Sequence, residues 1–378
     1  FFQAEDGIRY VERSRGLGDV YKRQVKHLVF GICVAFVLFS AFAGMGVGVA
    51  LASAKTIYVP DNYAKIQWAI DNASDGDTII VRDGIYIENV DVNKRLTIQS
   101  ENGSDSTIVQ AADSSDDIFE VTADYVNIDG FTVTGANYAY TAFNAGIALY
   151  DANHCNISNN TASNNDVGIC LWHSCNANNI VGNNASNNGD GGIWLWYSSN
   201  NNNIVKNIIF SNNAWSDSWG IYLWDSSNNI IYLNNFIDNS KNVYFGYSTN
   251  IWNSTEKITY TYNDNQYTNY LGNHWSDYNG KDADGDGIAD AAYRIDRDKD
   301  YYPLRKRFEN YFLALASLTF TDLQPSLIIT NQSTYDALLF AKGTNFLNVT
   351  QIAFNWSGPD SGSTVWNKGD SSWNTGVT

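Results

Sequence analysis

The sequence predicts an all-β protein, a parallel β-helix, because one phrase recurs between Asn144 and Tyr247. Four copies open with Gly-Ile-x-Leu and a degenerate fifth follows, and they begin at Gly146, Gly168, Gly192, Gly220 and Asn242. Steps of 22 to 28 residues between copies mark a repeat architecture whose units stack to bury a common core. Within a copy, apolar residues alternate as in a strand, and Asn, Ser and Gly fill the corners.

Paired asparagines recur at a similar phase of the repeat, at Asn159-Asn160, Asn183-Asn184 and Asn234-Asn235. Amides stacked one coil apart can hydrogen-bond to one another along the stack. The pairs therefore predict asparagine ladders that run along the β-helix.

The chain has 378 residues, and its first two segments are set apart from the fold. Residues 1–24 resemble translated adapter sequence, with a genuine charged segment as the alternative. Residues 25–54 read as a secretory signal, with basic Lys26, an apolar run from Leu28 to Leu51 and a small-residue cleavage site at Ala52-Ser53-Ala54. The apolar run is also long enough to cross a bilayer, so an uncleaved N-terminal anchor stays open.

Charge and cysteine content limit the partners. A net charge of -17 disfavours nucleic acid and anionic lipid headgroups, and it is common in exported surface proteins. Of the four cysteines, Cys33 lies in the predicted signal, which leaves Cys155, Cys170 and Cys175. An odd number does not form a disulfide framework, although one bridge between Cys155 and Cys175 is sterically open.

Residues 55–280 are assigned to the β-helix. Ile66, Ala69, Ile70 and Ala73 occur at helical spacing, which predicts a short amphipathic helix near the start. Because a solenoid needs its open end covered, this helix is expected to cap the first coil.

Two stretches resemble a known family. The opening IQWAIDNASDGDTIIVRDGIYIE from Ile66, followed by LTI at Leu96, is similar to right-handed β-helix proteins of the pectin-lyase-like class. The Asn-rich GIxLxxSxNN coils resemble the NosD-like, periplasmic copper-binding type found in archaeal surface proteins. The resemblance covers residues 55–304 and implies an exported β-helix, secreted or at the cell surface. It specifies the fold more than the activity.

The family name implies copper, for which this chain has few ligands. Copper(I) prefers Cys and Met, and copper(II) prefers His. The only Met, Met45, lies in the predicted signal. A single site stays open where ligand types meet on adjacent coils, with hydrogen-bonded turn residues as the alternative, at His154, Cys155, His173 and Cys175.

Residues 281–304 are assigned to a calcium-binding loop and a C-terminal cap. The loop matches a calcium motif at positions 1, 3, 5, 7 and 9, and the predicted ligands are Asp282, Asp284, Asp286, the Ile288 carbonyl and Asp290. Position 12 is Tyr293 rather than Glu, so Asp290 or Asp296 must replace the bidentate ligand. No flanking helix pair is evident, which favours a structural loop over a sensor, with a solvated acidic turn as the alternative.

The C-terminal residues change pattern. Residues 305–317 read as a linker, and residues 318–378 as the truncated start of an immunoglobulin-like domain of the TIG type. Alternating runs around 327–330, 338–341 and 351–355 support this reading, and KGTNFLNVTQIAFNW resembles the early strands of such a domain. A sandwich needs more strands than these.

The x positions of the Gly-Ile-x-Leu-x strands predict two outward columns of side chains. The first column is Ala148, Cys170, Trp194, Tyr222 and Tyr244, and the second is Tyr150, Trp172, Trp196 and Trp224. Flat rings at coil spacing suit the apolar faces of sugars, and polar neighbours at Asp151, His173 and Asp225 can bond to hydroxyls. The predicted carbohydrate-binding residues are Tyr150, Trp172, Trp194, Trp196, Tyr222 and Trp224. Rings stacked only for stability, or covered by another domain, are the alternatives.

No catalytic residues are predicted. A hydrolase needs two carboxylates facing one bond, whereas Asp151 and Asp225 lie three coils, about 14 Å, apart. Elimination beside a uronate needs a basic residue, and the repeats contain only Lys206 and Lys241. The predicted function is non-catalytic binding of extracellular polysaccharide, or adhesion to surface-layer proteins, with calcium as cofactor. The alternative is a polysaccharide lyase or glycoside hydrolase.

Overall fold

The computed structural model describes residues 53–137, 143–212 and 218–312, together with the backbone of four strands between 317 and 367. The predicted adapter-like segment and nearly all of the predicted signal peptide lie outside these residues. None of the described helices is long and apolar enough to span a bilayer.

The described chain is a parallel β-helix, as the repeat predicts. Each coil contributes one strand to each of three parallel sheets, which we name A, B and C in chain order. Strand β1 (Thr56–Val59) joins sheet A and helix α1 (Ile66–Asn72) precedes the full coils. The coils are β2 Thr78–Val81, β3 Gly84–Ile87, β4 Val90–Val92; β5 Thr97–Ser100, β6 Thr107–Gln110, β7 Phe119–Val121; β8 Asn127–Asp129, β9 Thr132–Thr134, β10 Ala145–Tyr150; β11 Asn156–Ser158, β12 Thr161–Ser163, β13 Val167–Trp172; β14 Asn179–Val181, β15 Asn184–Ser186, β16 Gly191–Trp196; β17 Asn203–Val205, β18 Ile208–Phe210, β19 Trp219–Trp224; and β20 Ile230–Tyr232, β21 Asn235–Ile237, β22 Lys241–Gly246.

A cap of short elements follows the last coil. It comprises the antiparallel hairpin β23 (Ile258–Tyr262) and β24 (Asn265–Asn269), strand β25 (His274–Trp275) at the end of sheet B, the hairpin β26 (Tyr293–Ile295) and β27 (Asp298–Asp300), and the 3-10 helix η1 (Phe308–Tyr311).

Two more antiparallel hairpins lie in the predicted immunoglobulin-like region. They are β28 (Ser317–Gln324) with β29 (Leu338–Thr344), and β30 (Gln351–Trp356) with β31 (Gly362–Asn367). The predicted runs at 338–341 and 351–355 are strands, and the run at 327–330 lies outside the described residues. The immunoglobulin-like domain stays a prediction.

The core consists of like side chains stacked in register. The Ile of each repeat pairs with the Ile of the next, and so does the Leu, from β10 to β19. All of these side chains are fully buried. The glycine before each Ile is required by close approach, because a Cβ on Gly168 would lie 2.6 Å from the Gly192 carbonyl oxygen.

Helix α1 covers the first coil, and its predicted apolar face is buried. The amides of Ile66 and Gln67 donate to the Glu88 carboxylate, over 3.0 and 3.2 Å. At the other end, the Lys94 ammonium donates to three carbonyls of the last turn. Both charges complement helix ends that lack intrahelical partners, so the helix is held by the coils it covers.

Asparagine ladders run along all three corners of the β-helix. In each ladder, the backbone N–H of one Asn donates to the side-chain oxygen of the Asn one coil further on; Asn183, for example, donates to Asn207 over 2.9 Å. The Asn183 amide nitrogen also donates to the Ile157 carbonyl over 2.8 Å. The ladders are Asn160, Asn183, Asn207, Asn234, Asn273; Asn165, Asn188, Asn212, Asn239; and Asn178, Asn202, Asn229, Asn250. The prediction of ladders is confirmed, although the paired asparagines indicated only the first.

Asp300 ends the first ladder. Its Oδ2 accepts from the Asn273 amide over 2.7 Å and from the Trp275 indole over 3.0 Å, and its Oδ1 accepts from the Tyr302 amide over 3.0 Å. Asp300 is fully buried, and a Cβ on Gly272 would collide with its carboxyl group. Every ladder residue donates forward, so the last one needs an acceptor, and Asp300 provides it.

Asp298 has the same role at another corner. Its Oδ2 accepts from the Asn250 amide over 3.0 Å and from the Trp252 indole over 3.1 Å. Hairpin β26–β27 therefore closes two ladders with two carboxylates.

The predicted linker at residues 305–317 is wrong for its described part, because residues 305–312 belong to the cap. Tyr311 in η1 is fully buried, and its hydroxyl donates to the Gly287 carbonyl over 2.5 Å. The aromatic side chains of Phe308 and Phe312 pack against the same cluster. Burial of these rings outweighs the basic character that suggested a linker.

Stability is expected to fall as the pH rises from about 5 to about 8. Burial raises the pKa of Asp117 to about 6 and the pKa values of Asp166 and Asp300 to about 7. A carboxyl whose pKa is raised by folding stabilises the fold below its unfolded pKa, and that contribution is lost as the pH passes the folded value. Thermal unfolding across this range should show the midpoint falling by a few degrees.

The variant Asp166→Asn should shrink this pH dependence, whereas the surface variant Asp105→Asn should not alter it. A midpoint that rises between pH 5 and pH 8 contradicts this expectation.

Candidate functional site

The outer side of sheet C presents a row of aromatic rings. Strand register places Tyr150, Trp172, Trp196 and Trp224 one above the other, each one coil from the next. All four are partly exposed, as is Tyr222 in the adjacent column. We call Tyr150, Trp172, Trp196, Tyr222 and Trp224 the aromatic face.

Turn residues flank the aromatic face where each strand ends. The residue that follows each strand of sheet C from β10 to β22 has a positive φ of 50° to 60°, at Asp151, His173, Tyr197, Asp225 and Tyr247. This conformation ends the strand and turns the chain toward the next corner. Polar side chains thereby line one edge of the aromatic face, as predicted for Asp151, His173 and Asp225.

Trp196 is the centre of the face. Its ring centroid lies 4.5 Å from that of Trp172, 5.6 Å from that of Tyr222 and 5.3 Å from that of Tyr197. The Trp172 contact is tilted by 58°, and the Tyr197 contact is stacked at 14°. The rings therefore support one another and still leave part of their surface exposed. This geometry fits both interpretations, rings that stack for stability and rings that bind sugars.

Trp194 does not belong to the exposed rings. It is only 4% exposed, and Ala148 and Cys170 in the same column are 1% and 2% exposed. The Phe143 ring packs 4.8 Å from the Trp194 ring, measured between centroids. The prediction that this column faces solvent is wrong for these three residues, because they form one buried cluster against which Phe143 packs. The Trp194 ring lies 5.8 Å from the Trp196 ring, between centroids, and supports it from one side.

Asp117 is a site residue that the sequence reasoning missed. Its Oδ2 accepts from the Tyr150 hydroxyl over 2.9 Å, and its Oδ1 accepts from the Ala145 amide over 2.6 Å. Burial raises the pKa of Asp117 to about 6, and it raises the pKa of Tyr150 as well. The carboxyl fixes the orientation of the first ring. Its position one coil before the clear repeats, outside the Gly-Ile-x-Leu phrase, concealed it.

His173 and Asp151 form a polar pair at the edge of the face. The His173 Nδ1 contacts Asp151 Oδ1, and the two side chains are 59% and 57% exposed. The pairing orients the imidazole and leaves its Nε2 without a hydrogen-bond partner among the described groups. This ring nitrogen can bond to a ligand held on Trp172.

The predicted calcium loop brings three of its carboxylates together. One oxygen each from Asp282, Asp284 and Asp286 lies within 4.8 Å of the others. Burial raises the pKa of Asp286, and the charges of Asp284 and Asp282 raise it further. A bound cation would relieve that repulsion.

The remaining predicted ligands are arranged differently. Asp290 Oδ2 accepts from the Ala283 amide over 3.1 Å, which closes the loop. Asp290 does not belong to the three-carboxylate group. Ile288 forms an antiparallel bridge with Leu304, and no described donor bonds to the Ile288 carbonyl. That carbonyl is available as a ligand.

Tyrosines from the cap hold the loop. The hydroxyls of Tyr260, Tyr267 and Tyr311 donate to the carbonyls of Asp286, Gly285 and Gly287, over 2.9, 3.2 and 2.5 Å. Gly285 and Gly287 have φ of 74° and 91°, which a side chain would strain. The loop is thus organised by its surroundings.

The bridge between Cys155 and Cys175 that the sequence left open is not formed, and both thiols are free. Cys175 is aligned with Ser199 of the next coil. Cys155 is aligned with Asn178, which lies three residues after Cys175 in the chain. Each Sγ instead hydrogen-bonds to a backbone carbonyl, Ala123 for Cys155 and Leu149 for Cys175, over 3.4 and 3.3 Å. This offset along the corner keeps the two thiols from pairing.

The four candidate copper ligands do not converge either. Burial raises the pKa of Cys155 to about 11 and that of Cys175 to about 12, which disfavours the thiolate that a metal requires. The His154 ring stacks on Tyr125 with centroids 4.8 Å apart, and His173 pairs with Asp151. Among the described residues, only the calcium loop groups three or more ligands closely enough to hold a metal ion.

Known proteins resemble this chain over part of its length. A cell surface glycoprotein of Methanothermus fervidus is 38% identical over 115 residues, which are 30% of this chain and 18% of the glycoprotein. The chain therefore spans less than a fifth of that relative.

Several solved β-helix enzymes are similar in structure. They include an alginate lyase from Paenibacillus sp. (18% identity, 52% of this chain and 76% of that chain, TM-score 0.36), a pectate lyase (18%, 52% and 69%, 0.37) and a periplasmic alginate epimerase (17%, 50% and 43%, 0.35). With TM-scores this low, nothing of their activity transfers to this chain.

The family model described as periplasmic copper-binding protein (NosD) matches residues 70–280, which include the asparagine ladders and the whole aromatic face. The match covers more than half of the chain, and the residues in it form the stacked coils that the repeat predicts. The chain therefore belongs to the NosD family of parallel β-helix proteins.

Proposed function

We propose that this chain is a non-catalytic glycan-binding protein of the cell surface and that the aromatic face is its binding site. The observation that carries the proposal is the register of Trp172, Trp196 and Trp224, three partly exposed indoles one coil apart. Strand spacing sets them about 4.8 Å apart, so one extended sugar chain can lie along several of them. Asp151, His173 and Asp225 at the edge supply hydrogen bonds to hydroxyls.

The relatives support a location outside the cytoplasm. The family is described as periplasmic, and the Methanothermus fervidus relative is named a cell surface glycoprotein. A protein placed there meets extracellular polysaccharide and surface-layer proteins, which are the partners that we propose.

Replacing Trp196 with alanine is expected to weaken binding of the best oligosaccharide at least tenfold. Trp196 contacts the rings on both sides, so its removal interrupts the platform, and a central aromatic anchor contributes on the order of 2 kcal/mol. Isothermal titration calorimetry against an oligosaccharide panel measures the loss. The matched control is Trp68→Ala, which removes an indole that is 50% exposed on α1, outside sheet C. Equal binding by wild type and Trp196→Ala would refute the platform.

A polysaccharide lyase or hydrolase is the second candidate, and the His173–Asp151 pair is the observation that favours it. An exposed imidazole oriented by a carboxylate can act as a general base. Incubation with extracellular polysaccharides, followed by assays for unsaturated and reducing ends, separates the two functions. The expected result is no release. Release that is lost in His173→Ala supports the enzyme.

We also propose that Asp282, Asp284, Asp286 and the Ile288 carbonyl bind calcium. Calcium takes six to eight oxygen ligands, so water would complete the coordination shell. The loop packs on the cap that closes the ladders, so the ion would stabilise that end of the β-helix.

Millimolar calcium is expected to raise the unfolding midpoint of the wild type by several degrees, because it binds only the folded loop. The Asp284→Asn variant should lose most of this shift, because Asp284 is one of the three grouped carboxylates. Its midpoint without calcium should match the wild type, since Asp284 makes only one long hydrogen bond within the loop, 3.4 Å from the Asp286 amide. Scanning calorimetry with and without calcium tests this, with Asp105→Asn as the control. Equal calcium shifts in wild type and Asp284→Asn would contradict the assignment.

Copper does not enter this proposal. The donors that copper prefers are held apart or protonated, as described for Cys155, Cys175, His154 and His173. Membership of the family therefore does not extend its copper site to these residues.

A further inference from the structure

Carboxylates border the aromatic face at both ends of its strands. Asp151 and Asp225 follow β10 and β19 and are exposed. Asp166 and Asp190 precede β13 and β16 at the opposite edge and are partly exposed. Asp117 holds the first ring through the Tyr150 hydroxyl. A ligand lying along the rings therefore passes between two acidic edges.

Among the residues that the structure describes, no lysine or arginine lies in the ring row, and the imidazole at its edge, His173, is paired with Asp151. The sequence from 144 to 247 contains two lysines and no arginine. The Lys206 ammonium lies 4.8 Å from the Phe312 ring centroid in the cap. The Lys241 ammonium lies 4.3 Å from the Trp219 centroid, at the start of β19, five residues before Trp224. At about 3.3 Å per residue, that is roughly 16 Å along the strand from the ring row.

This distribution of charge discriminates between sugar classes. A polyuronate carries a carboxylate on every residue, and each would approach Asp151, Asp225 or the opposite edge with no lysine or arginine to compensate. A neutral sugar carries hydroxyl groups, which donate charge-assisted hydrogen bonds to the same carboxylates. Ring stacking is available to both classes, so the edges decide between them.

We propose that the aromatic face selects neutral sugar chains and rejects polyuronates. The inference rests on the proposed glycan-binding function and names its ligand class.

The test compares two classes of hexasaccharide, neutral chains of hexoses or pentoses and chains of galacturonate or guluronate. Calorimetry measures the affinity of each chain at about 20 and 150 mM salt. The best neutral chain should bind at least tenfold more tightly than either uronate at low salt. The gap should narrow at high salt, because exposed charges are screened. Asp225→Asn should raise uronate affinity severalfold, and asparagine tolerates the positive φ of 50° at this position.

Three other outcomes overturn the inference, and they distinguish its failure from that of the proposed function. Uronates that bind as tightly as the neutral chains, with binding lost in Trp196→Ala, overturn the ligand class and leave the platform intact. Binding of either class that is unaffected by Trp196→Ala overturns both proposals. The absence of binding to every hexasaccharide also overturns both.

Discussion

The Asp300→Ala variant is expected to unfold roughly 10 °C below the wild type. Alanine leaves the buried amide of Asn273 and the buried indole of Trp275 without an acceptor, and it removes the acceptor of the partly exposed Tyr302 amide. A buried orphaned donor costs about 1–3 kcal/mol and a partly exposed one costs less, so the total loss is roughly 2–6 kcal/mol. Circular dichroism during heating and a urea titration measure it, and the urea midpoint should fall in parallel.

Asp296→Asn is the matched control, because this residue is exposed in the turn of the same hairpin. It should unfold with the wild type. If Asp300→Ala does not accumulate in folded form, Asp300→Asn keeps one acceptor oxygen and should show about half of the loss. A difference of less than 2 °C between the midpoints of Asp300→Ala and the wild type corresponds to no more than about 1 kcal/mol. That result would contradict the assignment of Asp300 as the ladder terminus.

The Asn207→Ala variant is expected to lose roughly 2–5 kcal/mol. Asn207 is the middle residue of the longest ladder and is fully buried. Its side-chain oxygen accepts from the Asn183 amide over 2.9 Å, and its amide nitrogen donates to the Ile180 carbonyl over 2.8 Å. Alanine orphans the buried Asn183 backbone N–H, at about 1–3 kcal/mol, and removes the bonds from the Asn207 amide nitrogen to the Ile180 carbonyl and the Asn234 side chain, at about 1 kcal/mol each.

Asn203→Ala in the same coil is the matched control. Its side chain is partly exposed on the outer side of β17, and its amide bonds to the Asn179 side chain over 2.9 Å. Its loss should stay below about 1 kcal/mol, because water can replace a partner that is not buried. Because the coils of a solenoid can unfold separately, hydrogen exchange should place the Asn207→Ala loss in the neighbouring coils. Equal losses in the two variants would mean that the ladder adds nothing beyond the chain geometry.

The fold could be predicted because the repeat encodes it locally. Gly-Ile-x-Leu alternates with period two, and a Gly is needed where Gly168 meets the carbonyl of Gly192. Helix α1 could also be predicted, since the spacing of its apolar residues matches one face of a helix. The calcium motif likewise brought Asp282, Asp284 and Asp286 together as its spacing indicates.

The features that could not be predicted depend on contacts between distant segments. Trp194 lies at an outward strand position, and the Phe143 ring, from the chain before β10, packs on it. Asp298 and Asp300 close ladders that begin more than a hundred residues earlier, so no local pattern marks them. Tyr311 lies in a segment with basic residues, and its burial depends on the loop at Gly287.

The central claim is that glycans bind on the aromatic face, and indole resonances test it most directly. Nitrogen-15 labelled tryptophan gives one N–H signal for each indole, assigned by single substitutions, during titration with the best neutral hexasaccharide. If the glycan lies on the aromatic face, the signals of Trp172, Trp196 and Trp224 shift with a common dissociation constant. The signals of exposed Trp68 and of Trp252 and Trp275, which are both 1% exposed, should stay in place. Saturable binding of the hexasaccharide without a shift of these three signals would contradict binding on the aromatic face.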